Sequence, residues 1–144
     1  MPLTSFGSIL TFAEEIETQD MDFYSSLVSK SDVLNAQLIQ LLERFVKECK
    51  KNITIIQRTR RENVTEMILE PIQDFTRKPF VIEKMNSSDI DAARILETIK
   101  TLEQRTLDYY TDASLKMKSL PEVVNALKLL AKKHTARLKK VNDI

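Results

Sequence analysis

The chain has 144 residues, one of them glycine, with 42% hydrophobic residues, 30% charged residues and a formal net charge of +1. That length suits a single domain, 1–144, with a sizeable core. The one glycine, Gly7, excludes glycine-rich phosphate loops, dinucleotide fingerprints and nucleophile elbows, and it leaves too few tight turns for a β-sandwich or barrel. The expectation is an all-α domain of few, long helices.

Thr4 or Ser5 offers a cap for a first helix. Its inward face is Leu10, Ala13, Glu17, Asp20, Tyr24 and Leu27, spaced by threes and fours as one helix face requires. Ser29-Lys30-Ser31-Asp32 is a polar break. A second helix carries the face Leu38, Leu42, Phe45, Cys49, Asn52 and Ile56, and Arg58-Thr59-Arg60-Arg61-Glu62 reads as its solvated end. Thr65–Glu70 extends that helix or forms a short one before Pro71, and Pro79 ends any helix in the segment's second half. Ser87-Ser88-Asp89 caps a third helix with the face Leu96, Ile99, Glu103, Thr106, Tyr110, Ala113 and Met117. Ser119 or Leu120 caps a fourth, with Pro121 and Glu122 in the first turn. Its face is Val123, Leu127, Leu130, His134, Arg137 and Val141.

Each apolar stripe is interrupted at its centre by polar residues, and the interruptions repeat. Glu17 and Tyr24 of the first helix stand 86 residues before Glu103 and Tyr110 of the third. Cys49 and Asn52 of the second stand 85 residues before His134 and Arg137 of the fourth. Two similar helical hairpins, 5–58 and 87–141, joined by a long crossover, 59–86, make up the chain. A crossover of that length lets the third helix start at the end where the second started.

On Glu17…Phe23-Tyr24, Glu103…Tyr109-Tyr110, Leu130-Ala131-Lys132-Lys133 and Leu138-Lys139-Lys140, the sequence resembles the rubrerythrin-like branch of the ferritin-like superfamily. The resemblance implies a four-helix bundle with one long crossover and a carboxylate-bridged di-iron centre. Such a centre takes one Glu from each of helices 1 and 3 and a Glu-x-x-His from each of helices 2 and 4. Glu17 and Glu103 match the single Glu positions. The Glu-x-x-His positions hold Cys49 with Asn52, and His134 with Arg137. Both bridging carboxylates are therefore missing, and Arg137 adds a charge that no ordinary pH removes. No Cys-x-x-Cys pair is present, so the rubredoxin-type iron domain of full rubrerythrins has no counterpart.

Two readings of the centre follow. In the favoured one the chain is a non-catalytic bundle with a buried Arg–His–carboxylate network, Asp20, Tyr24, Asn52, Tyr110 and Arg137 supporting Glu17, Glu103 and His134. In the alternative, Glu17, Cys49, Glu103 and His134 hold one zinc or iron ion, a ligand from each helix. An iron-dependent oxidase or peroxidase comes third. Nucleophilic catalysis by Cys49 lacks any oxyanion element. A homodimer is expected, with no membrane partner, because no apolar run approaches the ~20 residues of a spanning helix. Cys49, as the sole cysteine, cannot form an internal disulfide and fits a reducing, cytoplasmic setting. Met1–Phe12 lacks the basic start of a signal peptide. The lysines of the fourth helix read as a solvated face complementing acids of the third such as Asp108 and Asp112, and Arg58, Arg60 and Arg61 read likewise. A nucleic-acid partner is therefore not expected.

Overall fold

Ser5 opens the first helix of the structure, a computed structural model that describes residues 3, 5–29, 36–63, 72, 74–82, 92–117 and 120–143. The Ser5 hydroxyl accepts from the Ser8 N–H and Ser8 Oγ accepts from the Ser5 N–H, both at 3.1 Å, so two otherwise orphaned donors are satisfied reciprocally. From this cap α1 runs Phe6–Val28, followed by α2 at Ala36–Glu62, α3 at Ala92–Lys116 and α4 at Pro121–Asn142. Leu120 caps α4 without a side-chain bond, and Pro121 fits the first turn, where no N–H is needed. Thr4, residues 30–32, Thr65–Pro71, Ser87–Asp89 and Ser119, all weighed as caps, breaks or a further helix, lie outside the described residues. Among the described residues no helix is long and apolar enough to cross a membrane.

Every inward position expected on α1, α2 and α4 is buried. On α3, Leu96 is only half-buried and Ile95 takes the core place beside it. The apolar core has two parts. One joins Leu10 and Ala13 of α1, Ile56 of α2, Tyr109 and Met117 of α3, and Val123 and Leu130 of α4. The other joins Tyr24 and Leu27 of α1, Leu38 and Phe45 of α2, Ile95 and Ile99 of α3, and Val141 of α4. The start of α1 therefore lies with the end of α2, the end of α3 and the start of α4. It follows that α1 and α4 run one way and α2 and α3 the other. The tightest packing is within the pairs α1–α2 and α3–α4.

The connection from α2 to α3 consequently joins opposite ends of the bundle. Its described part lies against α1 and α3. Ile72, Phe75 and Phe80 enter the first core part, and Ile82 packs against the second. Tyr109 is the anchor: Phe75 stacks on it with centroids 5.7 Å apart, and Phe80 and Phe12 meet it edge-on, each at 5.1 Å. Its hydroxyl donates to the Ile9 carbonyl at 2.6 Å. Phe75 O also accepts from the Leu3 N–H at 2.8 Å.

Two expectations are corrected here. Pro79 does not end a helix: it lies in the first turn of a 3₁₀ helix, Lys78–Phe80, where its fixed φ fits and its missing N–H costs nothing. The end of the second helix, 58–62, is not wholly solvated. The helix continues to Glu62 because Thr59 is buried and Arg60 reaches back to Glu14 and Thr11 of α1. Arg60 is thus not part of a solvated face.

If the connection is held by aromatic burial, Phe80→Ala lowers stability by about 3–5 kcal/mol. The neighbouring Val81→Ala, at a side chain 58% exposed, changes it by less than about 0.5 kcal/mol. Urea unfolding of the two variants checks the contrast.

Candidate functional site: a buried charge network

The polar interruptions lie between the two core parts on all four helices. α1 places Glu17 and Asp20 there, α2 places Cys49 and Asn52, α3 places Glu103 and Thr106, and α4 places His134 and Arg137, all of them buried. The i, i+3 spacing on each helix directs both side chains to one face. An isolated charge at such depth would be strongly unfavourable, so each must find a partner.

His134 lies between two carboxylates. Its Nε2 is 2.7 Å from Glu17 Oε1, and its Nδ1 bonds Glu103 Oε2. Ionised carboxylates only accept, and a neutral imidazole has a single N–H. A neutral ring would turn a lone pair on one of the two glutamates, whereas an imidazolium donates to both. Burial alone would lower the His134 pKa, but Glu103 and Glu17 outweigh it and hold the ring up at about 10. Burial likewise would raise Glu17, yet His134 beside it, with Arg137 and Tyr110, brings it down to about 2. Glu103 is lowered by the same cations against the same burial.

Arg137 is the second cation. Its Nη1 donates to Glu103 Oε1 and to Cys49 Sγ, each at 3.4 Å, and its Nε donates to Glu48 Oε2 at 2.8 Å. Its guanidinium also lies over the Phe45 ring, 5.2 Å from the centroid. Tyr24 donates to Glu103 Oε1 at 3.0 Å, Tyr110 to Glu17 Oε1 at 2.8 Å, and Asn52 Nδ2 to Glu17 Oε1 at 3.2 Å. The innermost set is therefore two carboxylates against two cations, with no net charge. Glu17 Oε2 and Arg137 Nη2 have no hydrogen-bond partner. They are an acceptor and a donor of the kind that buried water serves.

The contacts come in related pairs. Each tyrosine of one hairpin serves the glutamate of the other. Asn52 bonds Glu17 within the first hairpin, as Arg137 bonds Glu103 within the second. Arg137 meets Glu48 across the α2–α4 boundary, and the equivalent residues, Asn52 and Lys133, meet at 3.5 Å. The repeat read from the sequence is thus a two-fold pattern of contacts. Cys49 and His134 occupy equivalent places and break it.

A second polar group ties α1, α3 and the connection together. Arg105 Nη2 donates to Asp20 Oδ1 at 2.8 Å, and Thr106 Oγ1 to Asp20 Oδ2 at 2.7 Å. Arg105 Nη1 donates to Gln19 Oε1 and to the Phe80 carbonyl, both at 3.0 Å. Gln19 in turn donates to the Ile82 carbonyl at 2.9 Å. Burial holds the Asp20 carboxyl up at about 7; Arg105 opposes this, and repulsion from Glu103 and Glu17 adds to it.

All nine side chains singled out in the sequence lie in this centre, and the four offered as metal ligands bond protein partners there. The two nitrogens of His134 are directed at different carboxylates, and Cys49 faces a guanidinium, with burial pushing its thiol far up. Among the described residues no three His, Cys, Asp or Glu side chains form a metal-holding group. Nor do these residues fit a carboxylate-bridged di-iron centre, since beside Glu17 and Glu103 the inner set holds a histidine, a cysteine and a fixed positive charge. Glu48, Arg105, Gln19 and Lys133 were not anticipated. Glu48 and Lys133 sit one residue outside the inward stripes. The signal for Arg105 and Gln19 was their 86-residue offset, the same as that of the two glutamates.

The pH dependence follows from His134. Its folded pKa, about 10, lies above the ordinary 6.5. Its stabilisation is complete below about pH 6.5 and disappears as pH rises through 10. Between about pH 7.5 and 8.5, unfolding free energy should fall by about 1 kcal/mol. His134→Gln should be less stable near neutral pH and should lose the part of this fall that the imidazolium contributes, by urea unfolding at each pH.

Comparison with protein-family models, with curated proteins and with solved structures gives no match for this chain.

Proposed function

We propose that the chain is a non-catalytic helical bundle of the ferritin-like, rubrerythrin-related kind, in which His134 and Arg137 stand where such proteins hold two metal ions. The observation that carries this reading is His134 bonded through both ring nitrogens to Glu17 and Glu103, the two residues that match the family's terminal ligands. Two protein cations balance those two carboxylates. Unlike metal ions, they bring no open coordination position, no redox couple and no activated oxygen. The bundle in this reading is a structural or regulatory element whose centre joins its two halves.

The test is metal addition. Aerobic ferrous iron should be oxidised no faster than in buffer, and calorimetry with zinc or ferrous iron should show no stoichiometric site. Binding of two irons per chain with an oxo-bridged absorption would overturn the reading. The combined variant Cys49→Glu, Asn52→His, His134→Glu and Arg137→His rebuilds the family's ligand pattern and should gain iron binding. A variant that folds yet binds no iron removes the proposed correspondence of positions.

Arg137 separates this reading from single-ion binding. Removing one partner of a buried ion pair costs about 3–5 kcal/mol. Arg137→Ala leaves Glu103 with one cation in place of two and removes the only described cation on Glu48. Stability should therefore fall by about that much near neutral pH, with a chelator changing neither protein. If an ion sat there, the chelator would destabilise the wild type and Arg137→Ala would matter less. Thermal or urea unfolding with and without chelator distinguishes them.

A further inference from the structure

The four helices carry their charge unequally. α1 has five carboxylates and no lysine or arginine, whereas α2 and α4 together have thirteen lysines and arginines against four acids. The lysines of α4 were expected to be complemented by Asp108 and Asp112. Those acids instead line the groove between α3 and the 74–80 segment, with Asp74, Thr76 and Pro79. No described lysine of α4 makes an ion pair with them.

The α2–α4 boundary is fixed by Arg137–Glu48 and by Lys133–Asn52. One turn to either side of Glu48 stand Arg44 and Lys51, with Lys47 and Arg58 on the same stripe. Lys132 and Lys140 flank Lys133 on α4. All six are exposed, and none makes an ion pair with a described residue. The described part of the connection lies on the opposite side, against α1 and α3. Among the described residues nothing covers the basic flank. Arg44 and Arg58 are about 21 Å apart along the helix, and two packed helices set their rows about 8–10 Å apart.

We infer that this α2–α4 face binds double-stranded nucleic acid through its phosphate backbone. Two rows of unpaired cations, the α2 row over that length and the α4 row over about 12 Å, meet several phosphates, each neutralised phosphate releasing counterions. Arginine and lysine supply both bidentate and point-charge contacts. The flank has no exposed aromatic on which bases could stack; of the exposed large apolar side chains of the described residues, Leu129 stands one turn before Lys132 and Lys133 as a single apolar residue, while Val81 and Leu115 lie off α2 and α4. That composition disfavours single strands, which rely on stacking. It equally disfavours insertion into a membrane interface, which needs an apolar face. Without base contacts the binding is independent of sequence. The face is separate from the buried network, and the inference does not depend on how that network is read.

The experiment is fluorescence anisotropy of the full chain with a labelled duplex of about 20 base pairs, DNA and RNA in turn, at several salt concentrations. The expected result is binding at about 50 mM salt that weakens with a log–log slope near about −4, as about four to five phosphate contacts imply. Lys47→Glu with Lys132→Glu should weaken binding by about tenfold or more. Lys78→Glu with Lys116→Glu, an equal change of charge on the other side of the bundle, should alter it by less than about threefold. Absence of binding at about 50 mM salt overturns the inference. Equal loss in both double variants does so as well, because net charge alone would then explain the effect. Binding to anionic phosphatidylserine vesicles without binding to duplex also overturns it.

Discussion

The bond that the rest of the structure depends on is the imidazolium of His134 between Glu17 and Glu103. Four helices each bury polar side chains at mid-length, where apolar residues would pack without penalty. Such a core is stable only if the charges cancel locally and nearly every strong donor meets an acceptor. His134 reaches from α4 to α1 and to its neighbour α3, so the same ring that cancels charge also links the two hairpins. This matters because helix packing is close within each hairpin and much thinner between them. The polar centre is concentrated at that thinner boundary, where hydrogen bonds specify a single alignment of the two halves.

The departure from two-fold pattern has an electrostatic reason. Tyr24 and Tyr110, Glu17 and Glu103, and Asn52 and Arg137 make matching contacts from equivalent places. At the remaining equivalent pair one hairpin supplies His134 and the other Cys49. A second histidine would add a third cation to two carboxylates, and a second cysteine would leave Arg137 alone against both. A buried thiol stays neutral, accepts from Arg137, and leaves the count even. Asp20 has its own cation in Arg105 and lies outside this balance, coupled to the connection through Phe80 O.

Much of this was legible in the sequence because helical spacing is local. Glu17, Asp20, Glu103, His134 and Arg137 fall inside apolar stripes with no shift of register, so their inward direction follows from periodicity alone. Their partners follow less directly. Glu48 lies beside the inward stripe of α2 and is partly exposed, and only the crossing of α2 and α4 brings it to Arg137. Arg105 reads as an outward residue next to Thr106. Its long side chain turns inward because Asp20 and the Phe80 carbonyl are both within its reach. That carbonyl belongs to the connection, whose path along α1 and α3 is set by aromatic packing on Tyr109 and has no periodic signature. The same reason hid the role of Pro79. That the basic flanks of α2 and α4 lie side by side was also out of reach, since it depends on which helices are neighbours.

His134 is the only histidine in the chain, so its ring resonances can be observed without ambiguity. Nitrogen-15 spectra of the ring across pH, with and without one equivalent of zinc, test the central claim. With the ring held protonated up to about pH 10, both nitrogens should carry a proton, the shifts should stay constant from about pH 6 to about pH 9, and zinc should leave them unchanged. A neutral tautomer near pH 7.5, or a zinc-induced shift of one nitrogen, would contradict the account.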